Sequence, residues 1–168
     1  MKDGLNALYE RRSVRKYKSE QISDGELEQI LKAGLCAPSA MNRQPAIIIA
    51  VQDKGTIAYM SKLNAQVMGS NGDPFYGAPT VLVVLAETDN INAVKDGSLV
   101  LGNLMNAASA LGIGSCWVNR AQEVFASEEG KALLEKWGVQ GDYIGVGNCI
   151  LGYPAETPAA KPIKENSL

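Results

Sequence analysis

Apolar positions recur along the chain at two spacings, one helical and one of strand type. Residues 5–12 open with a short helical segment that is charged at its end. A better-marked helix follows. Ser23 and Glu26 stand at capping-box spacing, with Ile22 and Leu27 placed for a hydrophobic staple. Behind them Leu27, Ile30, Leu31, Gly34 and Leu35 repeat at helical intervals until Pro38 ends the pattern. After Pro45 the run 46–51 is continuously apolar and of strand length. Asp53 caps a third helix carrying Ile57, Met60, Leu63 and Val67, and the turn residues of 69–79 predict a loop. Residues 80–86 are β-branched-rich and apolar on both faces, which predicts a central strand covered on both sides. A long helix over 92–111 carries Val94, Leu101, Leu104, Met105, Ala108 and Leu111 on its apolar face, and Gly112 stops it. Extended backbone over 113–118, a helix over 127–137 and a last core strand over 143–151 complete the series. From 153 onward the chain holds prolines and no apolar period, so an extended tail is expected. The whole predicts an α+β domain with one sheet covered by helices.

Composition narrows the chemistry. The 168 residues suit one domain of the usual roughly 100–200 residues. Sixteen Lys and Arg against 18 Asp and Glu leave a charge of −2 and no basic run, so no nucleic-acid partner is expected. There is no histidine, which excludes Ser-His-Asp triads, Cys-His pairs, zinc-protease helices and His-ligated haem. Cys36, Cys116 and Cys149 show neither metal-binding nor redox spacing and are expected as small buried hydrophobes; no metal is expected. The stretch 97–119 has no charged residue and the length of a membrane span. Its interspersed Ser, Asn and Gly predict instead a helix buried on most sides, in a core or a subunit interface, followed by extended chain. With no secretory signal at the N-terminus, the expectation is a cytoplasmic protein with no membrane partner.

Glycine-rich motifs carry no phosphate site here. Gly112-Ile113-Gly114 follows a helix, and Gly145-Val146-Gly147 lies inside a strand, so neither has the strand-turn-helix context of a dinucleotide fingerprint. Two other segments have more to offer. Arg11-Arg12-Ser13-Val14-Arg15-Lys16-Tyr17 gathers guanidinium forks and hydroxyls suited to a phosphate dianion, though by itself it reads more readily as a solvated basic patch. Pro38-Ser39-Ala40-Met41-Asn42-Arg43-Gln44-Pro45 is bracketed by prolines and presents two side-chain amides suited to the polar edge of a heterocycle. By itself it is also an ordinary helix-to-strand connection.

Taken together and in order, these segments resemble the FMN-dependent nitroreductase family. The resemblance continues through Pro74-Phe75-Tyr76-Gly77-Ala78-Pro79, Ala110-Leu111-Gly112-Ile113-Gly114-Ser115-Cys116-Trp117 and Leu151-Gly152-Tyr153-Pro154, nearly the full chain. The length is that of the family's compact members. The resemblance implies a central, mostly antiparallel sheet flanked by helices in an intertwined homodimer with FMN at the subunit interface. It implies one domain over 1–168, with 153–168 crossing to the partner. Arg11, Arg12, Ser13 and Arg15 would hold the FMN phosphate and the pyrimidine side of the ring. Pro38, Ser39, Ala40, Asn42 and Gln44 would reach the cofactor of the other subunit. Asn119 and Arg120 would bring backbone amides to the flavin, and Lys161 and Lys164 would close the phosphate site. The chain departs from the family pattern at Ile163, where an arginine is usual, and at Ala40, where a serine is frequent.

A flavin carries hydride transfer itself, so no catalytic side chain is implied. The implied function is an oxidoreductase that passes hydride from NAD(P)H through FMN, by a ping-pong scheme, to a small-molecule acceptor. That acceptor would be nitroaromatic, quinone-like or otherwise electrophilic. Met41, Phe75, Tyr76 and Trp117 are the candidate apolar walls of its pocket; each is also an ordinary core candidate. The alternative is an FMN-binding carrier or sensor without turnover.

Overall fold

The computed structural model describes residues 3–160 and 162, so Lys161, Ile163 and Lys164 lie outside the described residues. In chain order the elements are α1 (Gly4–Glu10), α2 (Asp24–Leu35), a single 3-10 turn (Ala40–Asn42), β1 (Ala46–Val51), α3 (Lys54–Met68) and β2 (Thr80–Glu87). There follow α4 (Ala93–Ala110), β3 (Gly114–Val118), α5 (Ala121–Ala126), α6 (Glu128–Lys136) and β4 (Tyr143–Gly152). The strands form one sheet in the order β1-β2-β4-β3, every ladder antiparallel.

β2 explains why the sheet needs cover on both faces. Val81, Val83 and Leu85 point to one side, where they join Ile57, Met60, Leu63, Phe75, Val124 and Phe125. Leu82, Val84 and Ala86 point to the other and meet Ile22, Ile30, Leu101, Leu104 and Cys149. Each fully buried aliphatic side chain contributes about 1.5–3 kcal/mol, so the two-sided strand anchors the domain. Opposite the step between Val84 and Leu85, β4 carries one extra residue, Val146, in a bulge.

Local signals set the helix ends. Ser23 accepts from the Glu26 amide while the Glu26 carboxylate accepts from the Ser23 amide, a complete capping box. Asp53 caps α3 and Ser127 caps α6. α4 stops at Gly112, whose φ of 77° lets the Ile113 amide turn back to the Ala108 carbonyl at 2.8 Å. The uncharged 97–119 stretch is thus a buried helix running into a strand. Among the described residues no helix is long and apolar enough to cross a membrane.

Several expectations need correction. α1 ends at Glu10, because the backbone turns extended at Arg11. Val94 is exposed, since the buried stripe of α4 runs through Ala93, Gly97, Val100, Leu101, Leu104 and Ala108 and passes it by. Leu35 and Val67 are exposed as well. Cys116 and Cys149 are buried as expected, whereas Cys36, just past the end of α2, is exposed. α5 was not anticipated. Its six residues are too few to show a period, and it forms because Ala121, Val124 and Phe125 find a core to enter.

Candidate active site

The arginine segment is shaped by the edge of the sheet. Leaving α1, the chain runs extended beside β3: Ser13 pairs with Ser115 in parallel, and the Val14 amide donates to the Ser115 carbonyl at 3.0 Å. On its other side the segment meets the chain that leaves β4. The Lys18 amide donates to the Tyr153 carbonyl, the Ala155 amide donates to the Lys16 carbonyl, and the Arg15 amide donates to the Glu156 carboxylate at 2.6 Å. Val14 enters the core, while Tyr17, half-buried, donates its hydroxyl to the Val14 carbonyl. Burial raises the Tyr17 phenol well above its ordinary pKa, so it remains a neutral donor.

A cleft of about 200 Å³ opens where these strands of chain meet, lined among others by Arg11, Arg12, Gly114, Ser115, Glu156 and Thr157. Arg12 closes the end of α1, donating Nη1 to the Tyr9 and Arg11 carbonyls at 2.7 Å each. Its Nε is buried and has no partner among the described residues. A buried, unpaired guanidinium donor beside a second arginine is the donor set of an anion site. The Arg15 guanidinium lies 6.0 Å from the centre of the Tyr76 ring, and Tyr76 itself sits in the left-handed region at φ 54°.

The proline-bracketed loop is built at the other end of α4. Ser39 Oγ accepts from the Gln44 amide at 2.9 Å, and Gln44 Nε2 donates to Asn42 Oδ1 at 3.0 Å. Met41, Asn42 and Gln44 all have positive φ, of 55°, 53° and 49°. Met41, Asn42, Arg43 and Gln44 are exposed, so this strained backbone is not stabilised by burial within its own chain. Beneath it the Ala40 amide donates to both oxygens of Asp96, at 3.2 and 3.3 Å.

Sequence reasoning missed Asp96. Its signal was present: a carboxylate standing on the apolar stripe of α4, four residues before Val100. The arginine cleft reaches Ser109 and Gly112, whereas the loop packs on Asp96 and Val100. The two groups therefore flank opposite ends of one helix, roughly 20 Å apart at about 1.5 Å per residue. A single chain does not bring them together.

Asn119 and Arg120 are exposed just beyond β3, with Arg120 at φ 78° and its guanidinium paired to Glu123 at 2.9 Å. Of the four proposed pocket walls, Phe75 is a correction: it is fully buried between the sheet and α3 and offers no surface to a ligand. Met41 and Tyr76 are exposed, and Trp117 is partly so, lying across Gly147 of β4. A cavity of about 760 Å³ between α3 and the 70–79 loop contains none of these residues. Its Asp73 carboxylate is already engaged by Ser61, the Phe75 amide and the Gly77 amide. Cys149 is fully buried and its thiol is pushed far up by desolvation, so it supplies no nucleophile.

The sequence model of the nitroreductase family matches residues 8–153. A candidate NADH dehydrogenase/NAD(P)H nitroreductase of Archaeoglobus fulgidus is 36% identical over 162 residues, covering 93% of this chain and 88% of the relative. The FMN reductase (NAD(P)H) of Bacillus subtilis is 25% identical, covering 96% of this chain and 70% of that protein. Among solved structures, a nitroreductase with bound FMN from Bacteroides fragilis superposes with a TM-score of 0.91 at 27% identity, covering 100% of this chain and 98% of the other. Another with bound FMN, from Desulfitobacterium hafniense, gives 0.89 at 27% identity over 100% and 97% of the two chains. With the family model spanning most of the chain and the α+β antiparallel architecture shared, the chain belongs to the nitroreductase family.

Proposed function

We propose that the protein is an NAD(P)H-dependent FMN oxidoreductase working as a homodimer, with each cofactor site built from both copies. The observation that carries this reading is the placement of the arginine cleft and the 39–44 loop at opposite ends of α4. A two-fold axis crossing the middle of α4 sets the cleft of one copy against the loop of the other, twice over. Leu99 is exposed at that middle, and Gly102 faces open space. α1, which packs on α4, carries further exposed apolar side chains at Leu5, Leu8 and Tyr9. A cleft of about 200 Å³ is also smaller than the roughly 300–1,000 Å³ of a complete ligand site, as expected of half a site. The start of the tail belongs to the same single domain: contrary to the expectation that it crosses to a partner from 153 onward, Tyr153 and Ala155 bond back to Lys18 and Lys16 of their own chain.

The residues present fit FMN. Arg11, Arg12 and Ser13 would hold the phosphate, for which the unpaired Arg12 Nε is a ready donor. Arg15 would sit near the ring, its cation stabilising negative charge that develops there. From the partner, Asn42 and Gln44 would meet the polar edge, and Asn119 and Arg120 would offer backbone amides beyond β3. When bound, FMN would supply the redox chemistry, a hydride transfer between NAD(P)H and a nitroaromatic, quinone-like or other electrophilic acceptor. Met41, Tyr76 and Trp117 would serve as walls for the acceptor beside the ring, and donor and acceptor would bind there in turn, a ping-pong scheme. The chain has no histidine and the reaction needs none, since water can supply the protons.

Purified protein titrated with FMN tests the reading: a bound flavin spectrum and steady NAD(P)H oxidation with a quinone or nitrofuran are expected, with parallel double-reciprocal lines. Absence of FMN binding defeats it. Binding without turnover leaves the carrier reading in its place.

A further inference from the structure

We propose that Asp96 is a positioning residue for the cofactor site of the second copy. Its buried carboxylate pins the Ala40 amide and so holds the 39–44 backbone in the shape that faces the partner's flavin. The inference rests on the homodimeric FMN reading above.

Three observations support it. Asp96 is 5% exposed, on the core face of the first turns of α4, where a hydrophobe would pack and a carboxylate costs free energy unless it is bonded. The bond it makes is to the loop, 56 residues away in sequence, with both oxygens on one amide. That amide opens the short turn in which Met41, Asn42 and Gln44 take left-handed backbone, a region unfavourable for Met and Gln. Pro38 and Pro45 limit the loop at its two ends, and Ser39 ties it to Gln44. Asp96 is the tie between this turn and the rigid helix. The end of α4 also favours it electrostatically, since negative charge near a helix N-terminus is stabilised by the dipole. Removing the carboxylate frees the turn to relax toward ordinary backbone, which moves Asn42 and Gln44 away from the ligand they address.

Asp96→Ala is expected to weaken FMN affinity about tenfold or more while the protein stays folded and dimeric. Asp96→Asn keeps an acceptor oxygen for the Ala40 amide and is expected to recover most of that loss. The deciding measurement is a mixed dimer, made by co-expressing differently tagged Asp96→Ala and Arg11→Ala/Arg15→Ala chains. One of its two sites combines an intact cleft with an intact loop, so it should regain one tight FMN per dimer, read by flavin fluorescence quenching. If the mixed dimer has no tight site, Asp96 acts only within its own chain and the proposal falls. Wild-type affinity in Asp96→Ala also overturns it. Failure of the wild-type protein to bind FMN would instead defeat the functional reading on which the proposal rests.

Discussion

Arg11 and Arg15 show how a basic segment becomes a directed one. Their backbone is fixed by the sheet edge and by Glu156, so the guanidinium groups leave a rigid strand instead of a mobile patch. Charge-assisted hydrogen bonds to phosphate are each worth about 1.5–3 kcal/mol, so the Arg11→Ala/Arg15→Ala variant should lose at least about tenfold in FMN affinity by fluorescence titration. Unchanged affinity would mean that the segment is only solvated charge. Gly147 is informative in a different way. A Cβ there would press on the indole nitrogen of Trp117 and on Leu101, one of the most buried residues of α4. Gly147→Ala is expected to cost about 1–3 kcal/mol and to shift Trp117 fluorescence, measured by denaturant titration beside an emission spectrum. The sequence placed Gly145-Val146-Gly147 inside a strand, but the neighbour that demands the small residue, Trp117, lies on another strand.

At the scale of elements, α2 couples its own start to the end of the fold. Glu26 accepts from Ser23 in the capping box and also from the Tyr153 hydroxyl at 2.7 Å, so one carboxylate joins a helix N-terminus to the chain beyond β4. The Ser23 hydroxyl, then Tyr153, hold the Glu26 carboxyl below its ordinary pKa. A depressed carboxyl adds stability that is present above the unfolded value of about 4.3 and disappears as pH falls through the folded value. The melting-temperature gap between wild type and Glu26→Gln should therefore be open at neutral pH and close on acidification. A gap that stayed constant with pH would reject the coupling. Ser23→Ala should cost about 1 kcal/mol at neutral pH, as loss of an N-cap does. This box was legible in the sequence because its partners are three residues apart. The Tyr153 contact was not, with 127 residues intervening.

For the whole molecule the proposed homodimer turns on exposed apolar side chains of α1 and α4. Leu8 and Leu99 are each about half exposed, an apolar exposure that a second copy would remove from water. Leu99→Arg is expected to give a monomer of the 17.9 kDa chain mass by light scattering, with FMN binding lost along with the dimer. A dimer that persists and still binds FMN would place the interface elsewhere. β1 is an outer strand that pairs only with β2 among the described residues, and Ile47, Ile48 and Ile49 along it are half-buried. Such an edge is normally covered or blunted, since its unpaired backbone groups can template pairing with another chain.

The sequence by itself determined what short-range physics controls. Caps at Ser23, Asp53 and Ser127, the stop at Gly112, the helical stripes and the two-faced apolarity of β2 all lie within one or two turns of their causes. The ordered motifs were enough to recognise the family, and the absence of histidine directed the chemistry to a cofactor. Only the tertiary structure decided where those pieces meet. It brought Glu156 to Arg15 across 141 residues, set Asp96 under Ala40, drew Phe75 into the core and made a helix of 121–126. It also separated the arginine cleft from the amide loop by the length of α4, the separation on which the homodimer proposal rests. Such contacts depend on how the elements pack, and no local spacing of residue types encodes a distance that folding alone creates.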